Sequence, residues 1–329
     1  MKWIKRILLT LLILIIVSAT GGYFYFKDKF LGAPPSQLTV SPTGNSVDFI
    51  WRGMDINGVY EENIAMYVPI TIPGVDRVFY MQFDTGAHST VLYLSKVQSI
   101  NEKYGDVFQL DTVENTLRVN DLDINVGTAN LHANFLTFRG RGNPIDWEDT
   151  TAIIKLGTIG SDFIEKHMVT MDFKNQRITL AESEPIDVLG DENLPMTFEG
   201  RKVFLSAVLN DEPASLWYDS GSSAFELIVA ESTFEDLATP GSKRTTFEGN
   251  SWGDGVVIHN APSSGRFEFG DIEVPLTYVT FIEWPNKLQA FMLKASNIGG
   301  DLGGMTGNKL FLDKVLILDT PNLSYRVEE

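Results

Sequence analysis

The chain of 329 residues carries 26 Lys and Arg against 43 Asp and Glu, a formal net charge of −17. That charge, with no basic stripe beyond the first residues, excludes a nucleic-acid partner, because phosphate contacts need clustered Lys and Arg. With no cysteine, disulfides, thiolate nucleophiles and Cys-ligated zinc are excluded, while 43% apolar and 21% charged residues describe a globular protein large enough for one or two real cores.

The chain opens on MKWIKRILLTLLILIIVSATGGYFYFKDKF, in which Ile7 to Phe26 carries no charge over 20 residues. A helix of that length, at about 1.5 Å per residue, crosses the hydrocarbon core of a bilayer. Lys2, Lys5 and Arg6 precede it, which predicts a cytoplasmic N-terminus and a membrane-anchored, extracytoplasmic body. The alternative is a signal peptide cleaved near Val17-Ser18-Ala19, leaving a secreted protein. Residues 27–50, with Pro34-Pro35 and several Ser, Thr, Gly and Asn, read as a spacer.

Beyond the spacer, strand patterns dominate and the predicted class is mainly β. Strands are expected at Ala65–Ile72, Val78–Phe83, Leu117–Val126, Leu131–Phe138, Val169–Leu180 and Val203–Leu209. The series continues with Ser215–Tyr218, Arg266–Val274, Leu276–Ile282, Val315–Asp319 and Ser324–Val327. Short helices are expected near Ser95–Tyr104, Ser161–His167 and Glu231–Ala238. The acidic, aperiodic stretch AESEPIDVLGDENLP, residues 181–195, reads as a linker between two lobes, 51–185 and 186–329. A glycine-rich hairpin, FEGNSWGDGVVI (247–258), presents Trp252 and is expected to be an ordinary exposed hairpin. Gly299–Gly304 lacks the Lys-Ser/Thr of a phosphate loop and is expected to be a plain loop.

Three blocks recur in the same order. YVPITIPGVDRVFYMQFDTGAHSTVLY (67–93) is echoed by FLSAVLNDEPASLWYDSGSSAFELI (204–228). LRVNDLDINV (117–126) is paired with RFEFGDIEV (266–274), and IGSDFIEKHMVTMDFKNQRITL (159–180) with TGNKLFLDKVLILDTPNLSYRV (306–327). Asp84 and Asp219 are 135 residues apart, the length of a small domain, which indicates a duplicated lobe.

A single Asp-Thr-Gly is an ordinary turn sequence. Two such turns, each following an apolar strand in a duplicated lobe, can do more if they meet. Two close carboxylates share one proton and titrate in separated steps. The ionised one can take a proton from water while the protonated one donates to a carbonyl oxygen. Amide hydrolysis by this route uses no metal, no cofactor and no covalent nucleophile. The glycine after each hydroxyl residue lets the backbone turn and bring an N–H to a carboxylate, and the hydroxyl can reach the opposite loop. His88, within the first motif, is expected to face solvent, and Trp217 to pack in the core.

FDTGAHS and YDSGSS resemble the two active-site motifs of bilobal, pepsin-like aspartic peptidases, and the first also resembles the retroviral-type DTGA form. The resemblance covers about residues 60–329. It implies two β-rich lobes of the acid-protease type with an inter-lobe cleft and aspartic endopeptidase activity on peptide or protein substrates, without cofactor. It makes Asp84 and Asp219 the catalytic dyad, with Thr85, Gly86, Ser220, Gly221 and Ser222 supporting their loops. Ser222 matches the residue that hydrogen-bonds its own Asp. Ala87 cannot do the same, so unequal support of the two carboxylates is expected. The only Tyr between Tyr93 and Tyr218 is Tyr104, which lacks the Gly-rich hairpin context of a pepsin flap tyrosine. That departure and Ala87 motivate the alternative, a catalytically inactive peptide- or polymer-binding module on the same fold.

Overall fold

Apolar alternation builds the strands that carry the site. Along Phe79–Phe83 every second side chain, Phe79, Met81 and Phe83, is buried, and Tyr80 and Gln82 lie on the other face. The computed structural model describes residues 35–41, 46–56, 58–140, 142–183, 192–251, 254–284 and 302–329, together with Ala33, Pro185 and Gly190. Ser36 to Glu329 forms one compact unit. The described residues are mainly β, in two sheets of 9 and 13 strands. The apolar run at residues 7–26 lies outside the described residues, as do Trp252 and residues 299–301. Among the described residues no helix is long and apolar enough to cross a membrane.

The two halves of the chain repeat one topology. In the first, Val59–Thr71 pairs antiparallel with Phe79–Phe83, and Lys155–Ile159 runs parallel to Phe79–Phe83 on its other side. Val91–Leu92 closes antiparallel on Lys155–Ile159 and runs parallel to Ala129–Phe138. In the second, Lys202–Leu209 pairs antiparallel with Glu212–Tyr218, and Leu302–Thr306 runs parallel to Glu212–Tyr218. Ile228–Val229 then pairs antiparallel with Leu302–Thr306 and parallel with Ile272–Glu283. A short helix follows the turn strand in each half, Leu94–Tyr104 and Glu231–Leu237. The first of these ends at Gly105, whose φ of 84° and ψ of −168° turn the chain out of the helix in a conformation open to glycine.

The larger sheet is shared between the halves. Met168–Asp172 pairs antiparallel with Val315–Asp319, from Met168 opposite Asp319 to Asp172 opposite Val315. Each of these strands carries its own hairpin partner outward, Arg177–Ala181 and Ser324–Glu328. Outside those lie Ser46–Asp48 and Leu194–Glu199. The arrangement is therefore symmetric about the central pair. Apolar side chains from both halves, including Phe83, Phe163, Met171, Tyr218, Phe311 and Tyr325, belong to one continuous core.

Several expectations are corrected. The run Val169–Leu180 is two strands, because Asp172 accepts from the backbone and side-chain N–H groups of Asn175 (2.9 and 2.7 Å) and Gln176 takes φ 52°, which makes a tight turn. Arg266–Val274 likewise spans a hairpin turn at Gly270-Asp271 between Asp254–Phe269 and Ile272–Glu283. The corresponding turn of the first half falls at Gly127-Thr128, between Thr116–Val126 and Ala129–Phe138. Sequence similarity thus pairs the second repeated block out of step: the topological counterpart of 269–276 is 126–133. Ser161–His167 is not a helix but a chain of turns, with Phe163 N–H donating to Gly160 O and Ile164 N–H to Ser161 O. It stops where Lys166 takes φ 71°. The described part of the stretch read as spacer contains the strands Leu38–Ser41 and Ser46–Asp48.

Candidate active site

Both Asp-(Thr/Ser)-Gly turns begin where a buried strand ends. The backbone N–H of Asp84 donates to Ile159 O at 3.0 Å, and that of Asp219 donates to Thr306 O at 2.9 Å. Each Asp is therefore pinned to the parallel strand beside its own. Behind the turns, Phe83 meets Phe163 edge-on at 6.2 Å between ring centroids, and Tyr218 meets Phe311 edge-on at 6.1 Å.

The hydroxyl residues bind across the two turns reciprocally. Thr85 N–H donates to Ser220 Oγ at 2.9 Å, and Ser220 N–H donates to Thr85 Oγ1 at 2.9 Å. Each hydroxyl then donates onward to a strand carbonyl of the opposite half: Thr85 to Tyr218 O and Ser220 to Phe83 O, both at 3.2 Å. Thr85 and Ser220 are fully buried. Losing one side chain there strands a buried partner, at a cost of about 1–3 kcal/mol per orphaned group.

This lattice brings the two carboxylates together. The ideal Cβ position at Gly86 lies 2.4 Å from Asp219 Oδ1, and that at Gly221 lies 2.4 Å from Asp84 Oδ1. Each glycine backbone thus packs against the opposite carboxylate, and any side chain there would occupy the space of the carboxyl group. The two carboxyls thus face each other across the turns, close enough for the charge of Asp84 to act on Asp219.

Support of the two carboxylates is unequal. Asp84 Oδ1 accepts from Gly86 N–H at 3.0 Å and Ala87 N–H at 3.1 Å. Asp219 accepts from Gly221 N–H at 2.8 Å on Oδ1 and from the Ser222 hydroxyl at 2.9 Å on Oδ2. Asp219 is buried and Asp84 half-buried. Burial, then the negative charge of Asp84, push the Asp219 carboxyl up to about 7, against the opposing hydrogen bonds from Ser222 and Gly221. At neutral pH and below, the pair holds a proton between its members.

A further layer of side chains lies outside the two motifs. Ser161 donates to Thr85 O at 2.6 Å, and Asn308 Nδ2 donates to Ser220 O at 3.3 Å. Both follow the glycine of the third repeated block, Gly160 or Gly307, so aligning those glycines is the signal that finds them. Asn308 also binds the Ser223 hydroxyl at 2.7 Å and accepts from Tyr218 Oη. One step on, the halves differ: buried Asp162 accepts from Thr90 N–H (2.8 Å) and the Thr90 hydroxyl (2.8 Å), whereas Lys309 pairs with Glu61 at 2.5 Å. Burial pushes Asp162 up to about 6, against the Thr90 hydrogen bonds and Arg201.

His88 is exposed, and its carbonyl accepts from Arg201 Nη1 at 3.1 Å. Trp217 is buried, two residues before Asp219. Among the described residues no cluster of three or more His, Asp or Glu could hold a metal ion.

No protein-family model and no curated protein matches the sequence. Among 383 solved chains that match in structure is an aspartic proteinase from Irpex lacteus, with a TM-score of 0.43 and 11% identity over 88% of this chain and 97% of that one.

Proposed function

We propose that the chain is an aspartic endopeptidase that hydrolyses peptide bonds with a water activated between Asp84 and Asp219. The observation that carries this reading is the pair of reciprocally bonded turns that set each carboxyl against the glycine of the other, with Asp219 pushed up to about 7 by burial and by the charge of Asp84. In the reaction, ionised Asp84 takes a proton from the water as its oxygen attacks the carbonyl carbon. Protonated Asp219 gives its proton to the carbonyl oxygen. When the tetrahedral species breaks down, Asp84 returns the proton to the leaving nitrogen and Asp219 recovers its own, so the dyad ends as it began. Ser222 and the glycine N–H groups steady the carboxylates as charge moves.

Replacing Asp84 or Asp219 by Asn is expected to reduce cleavage of a peptide library by at least about a thousandfold, with the fold kept. Undiminished cleavage in either variant would sink the assignment. A second reading, a peptide- or polymer-binding module without turnover, is favoured by Ala87, which gives Asp84 a backbone donor but no hydroxyl. A transition-state mimic of peptide hydrolysis separates the two: tight binding with turnover supports the peptidase, and peptide binding without turnover supports the module.

The uncharged run at residues 7–26, behind Lys2, Lys5 and Arg6, supports a membrane-tethered body outside the cytoplasm. Alkaline carbonate washing of membranes is the check: the full chain is expected to stay in the pellet. Release into the wash would favour a cleaved, secreted form.

A further inference from the structure

Lys202 opens the strand Lys202–Leu209, one step beyond the pair Val203–Tyr218. Continued by that step, the register sets Lys202 across from Asp219. Val203, Leu205, Leu216 and Tyr218 point into the core, so Lys202, Phe204, Trp217 and Asp219 share the opposite face. The Lys202 ammonium lies 5.3 Å from the centroid of the Trp217 ring. A subsite on this face therefore adjoins the second carboxylate of the dyad.

Its donors lack acceptors. The Trp217 Nε1–H is buried and, among the described residues, has no hydrogen-bond partner. Trp217 is only 7% exposed, so this is a buried orphan donor, and such groups are rare because each costs about 1–3 kcal/mol. Among the described residues Lys202 makes no ion pair, in a chain whose net charge is −17. Burial holds the Lys202 ammonium below its ordinary range, with Glu199 opposing.

The surroundings are fixed and positive. Gly200 and Arg201, at φ 57° and 60°, form the tight turn before Lys202. Buried Arg201 holds Glu165 Oε2 with Nε (3.2 Å) and Nη2 (3.1 Å) and reaches the carbonyl of His88 in the Asp84 loop. Arg201, Lys202 and Arg139 all act on the His88 ring. Arg201 is neutralised by Glu165, whereas Lys202, opposite Glu199 in the hairpin register, forms no ion pair among the described residues.

We propose that Lys202, held over the Trp217 ring, forms a subsite for an acidic side chain, so that the preferred substrates carry Asp or Glu beside the scissile bond on the Asp219 side. This inference names the substrate class of the peptidase reading above and rests on it. A carboxylate gives the Lys202 ammonium a counter-ion. A neutral amide offers it no charge, and a cationic side chain meets like charge.

The test uses three peptide libraries with Glu, Gln or Lys fixed at one position and the other positions randomised, read for both cleavage and binding. Wild-type protein is expected to bind and cleave the Glu library roughly tenfold better than the Gln library, the effect of one partly desolvated charge pair. Lys202→Met is expected to erase the difference through KM rather than kcat. Lys202→Glu is expected to turn the preference to the Lys library, and thermal unfolding checks that both variants fold. Charge discrimination absent from wild type, or unchanged in both Lys202 variants, overturns the subsite. Lys202-dependent binding of the Glu library without cleavage would reject peptide hydrolysis and keep the subsite, whereas cleavage blind to charge would do the reverse. Neither binding nor cleavage would overturn both.

Discussion

Replacing Ser222 by Ala removes one hydrogen bond whose consequence has a definite sign. The hydroxyl donates to Asp219 Oδ2 at 2.9 Å and holds the carboxyl down against burial and the charge of Asp84. A hydrogen bond to a charged group contributes about 1.5–3 kcal/mol, and one pKa unit corresponds to about 1.4 kcal/mol. The upper apparent pKa of the dyad should therefore rise from about 7 by about one to two units. Protonated Asp219 is the proton donor in the proposed reaction, so the alkaline limb of kcat/KM against pH should move upward by the same amount. Stability changes in the matching window. The lost bond served the ionised carboxyl, so above about pH 7 the variant should fall below wild type by up to about 1.5–3 kcal/mol, with the deficit shrinking as pH falls and Asp219 takes its proton. A pH series of peptide cleavage, paired with urea denaturation at each pH, reads both effects. An alkaline limb that stays in place or moves down would refute the reasoning, since either means that Ser222 does not act on the ionised form of Asp219.

Thr85→Val keeps the shape of the side chain but removes the acceptor for Ser220 N–H and the donor to Tyr218 O. It is expected to destabilise the fold by about 2–4 kcal/mol in urea denaturation and to cost activity at every pH. Asp162→Asn removes a buried acid whose pKa in the fold is raised to about 6 from an ordinary 3.8. The folded chain binds that proton more tightly than the unfolded chain does. The contribution of Asp162 to wild-type stability should accordingly fall as pH rises from about 4 to about 6 and then level off, and that loss of about 3 kcal/mol should vanish in the variant. Equal pH slopes for the two proteins in calorimetry would show that Asp162 does not titrate as described.

The meeting of Asp84 with Asp219 and the cross-turn hydroxyls are legible in the sequence because they rest on a local pattern: a strand, three residues and a second copy of both. The features that sequence alone misplaces depend on partners far along the chain or on single backbone angles. Ser46–Asp48 is short and polar, and becomes a strand by pairing with Arg177–Ala181 and by the ion pair of Arg177 with Asp48 at 2.9 Å. Phe163, Ile164 and His167 are spaced like a helix face, yet Lys166 at φ 71° ends the turns before a helix can form. The second block falls out of alignment because short alternating strands resemble one another at several registers, and only their pairing separates 117–126 from 126–133. Trp217 reads as core packing. It is buried, but its orphan N–H becomes visible only when hydrogen-bond partners are counted in three dimensions.

The reciprocal bonds of Thr85 and Ser220 have a consequence for how the two copies can diverge. Each hydroxyl completes the turn of the other half, so neither Thr85 nor Ser220 can change without disturbing the carboxylate it does not belong to. Freedom begins one step outward, and that is where the halves part: Ala87 against Ser222, Ser161 against Asn308, Asp162 against Lys309. A symmetric clamp with asymmetric surroundings gives two identical acids unlike environments while the distance between them is held, which is what the proposed reaction asks of them.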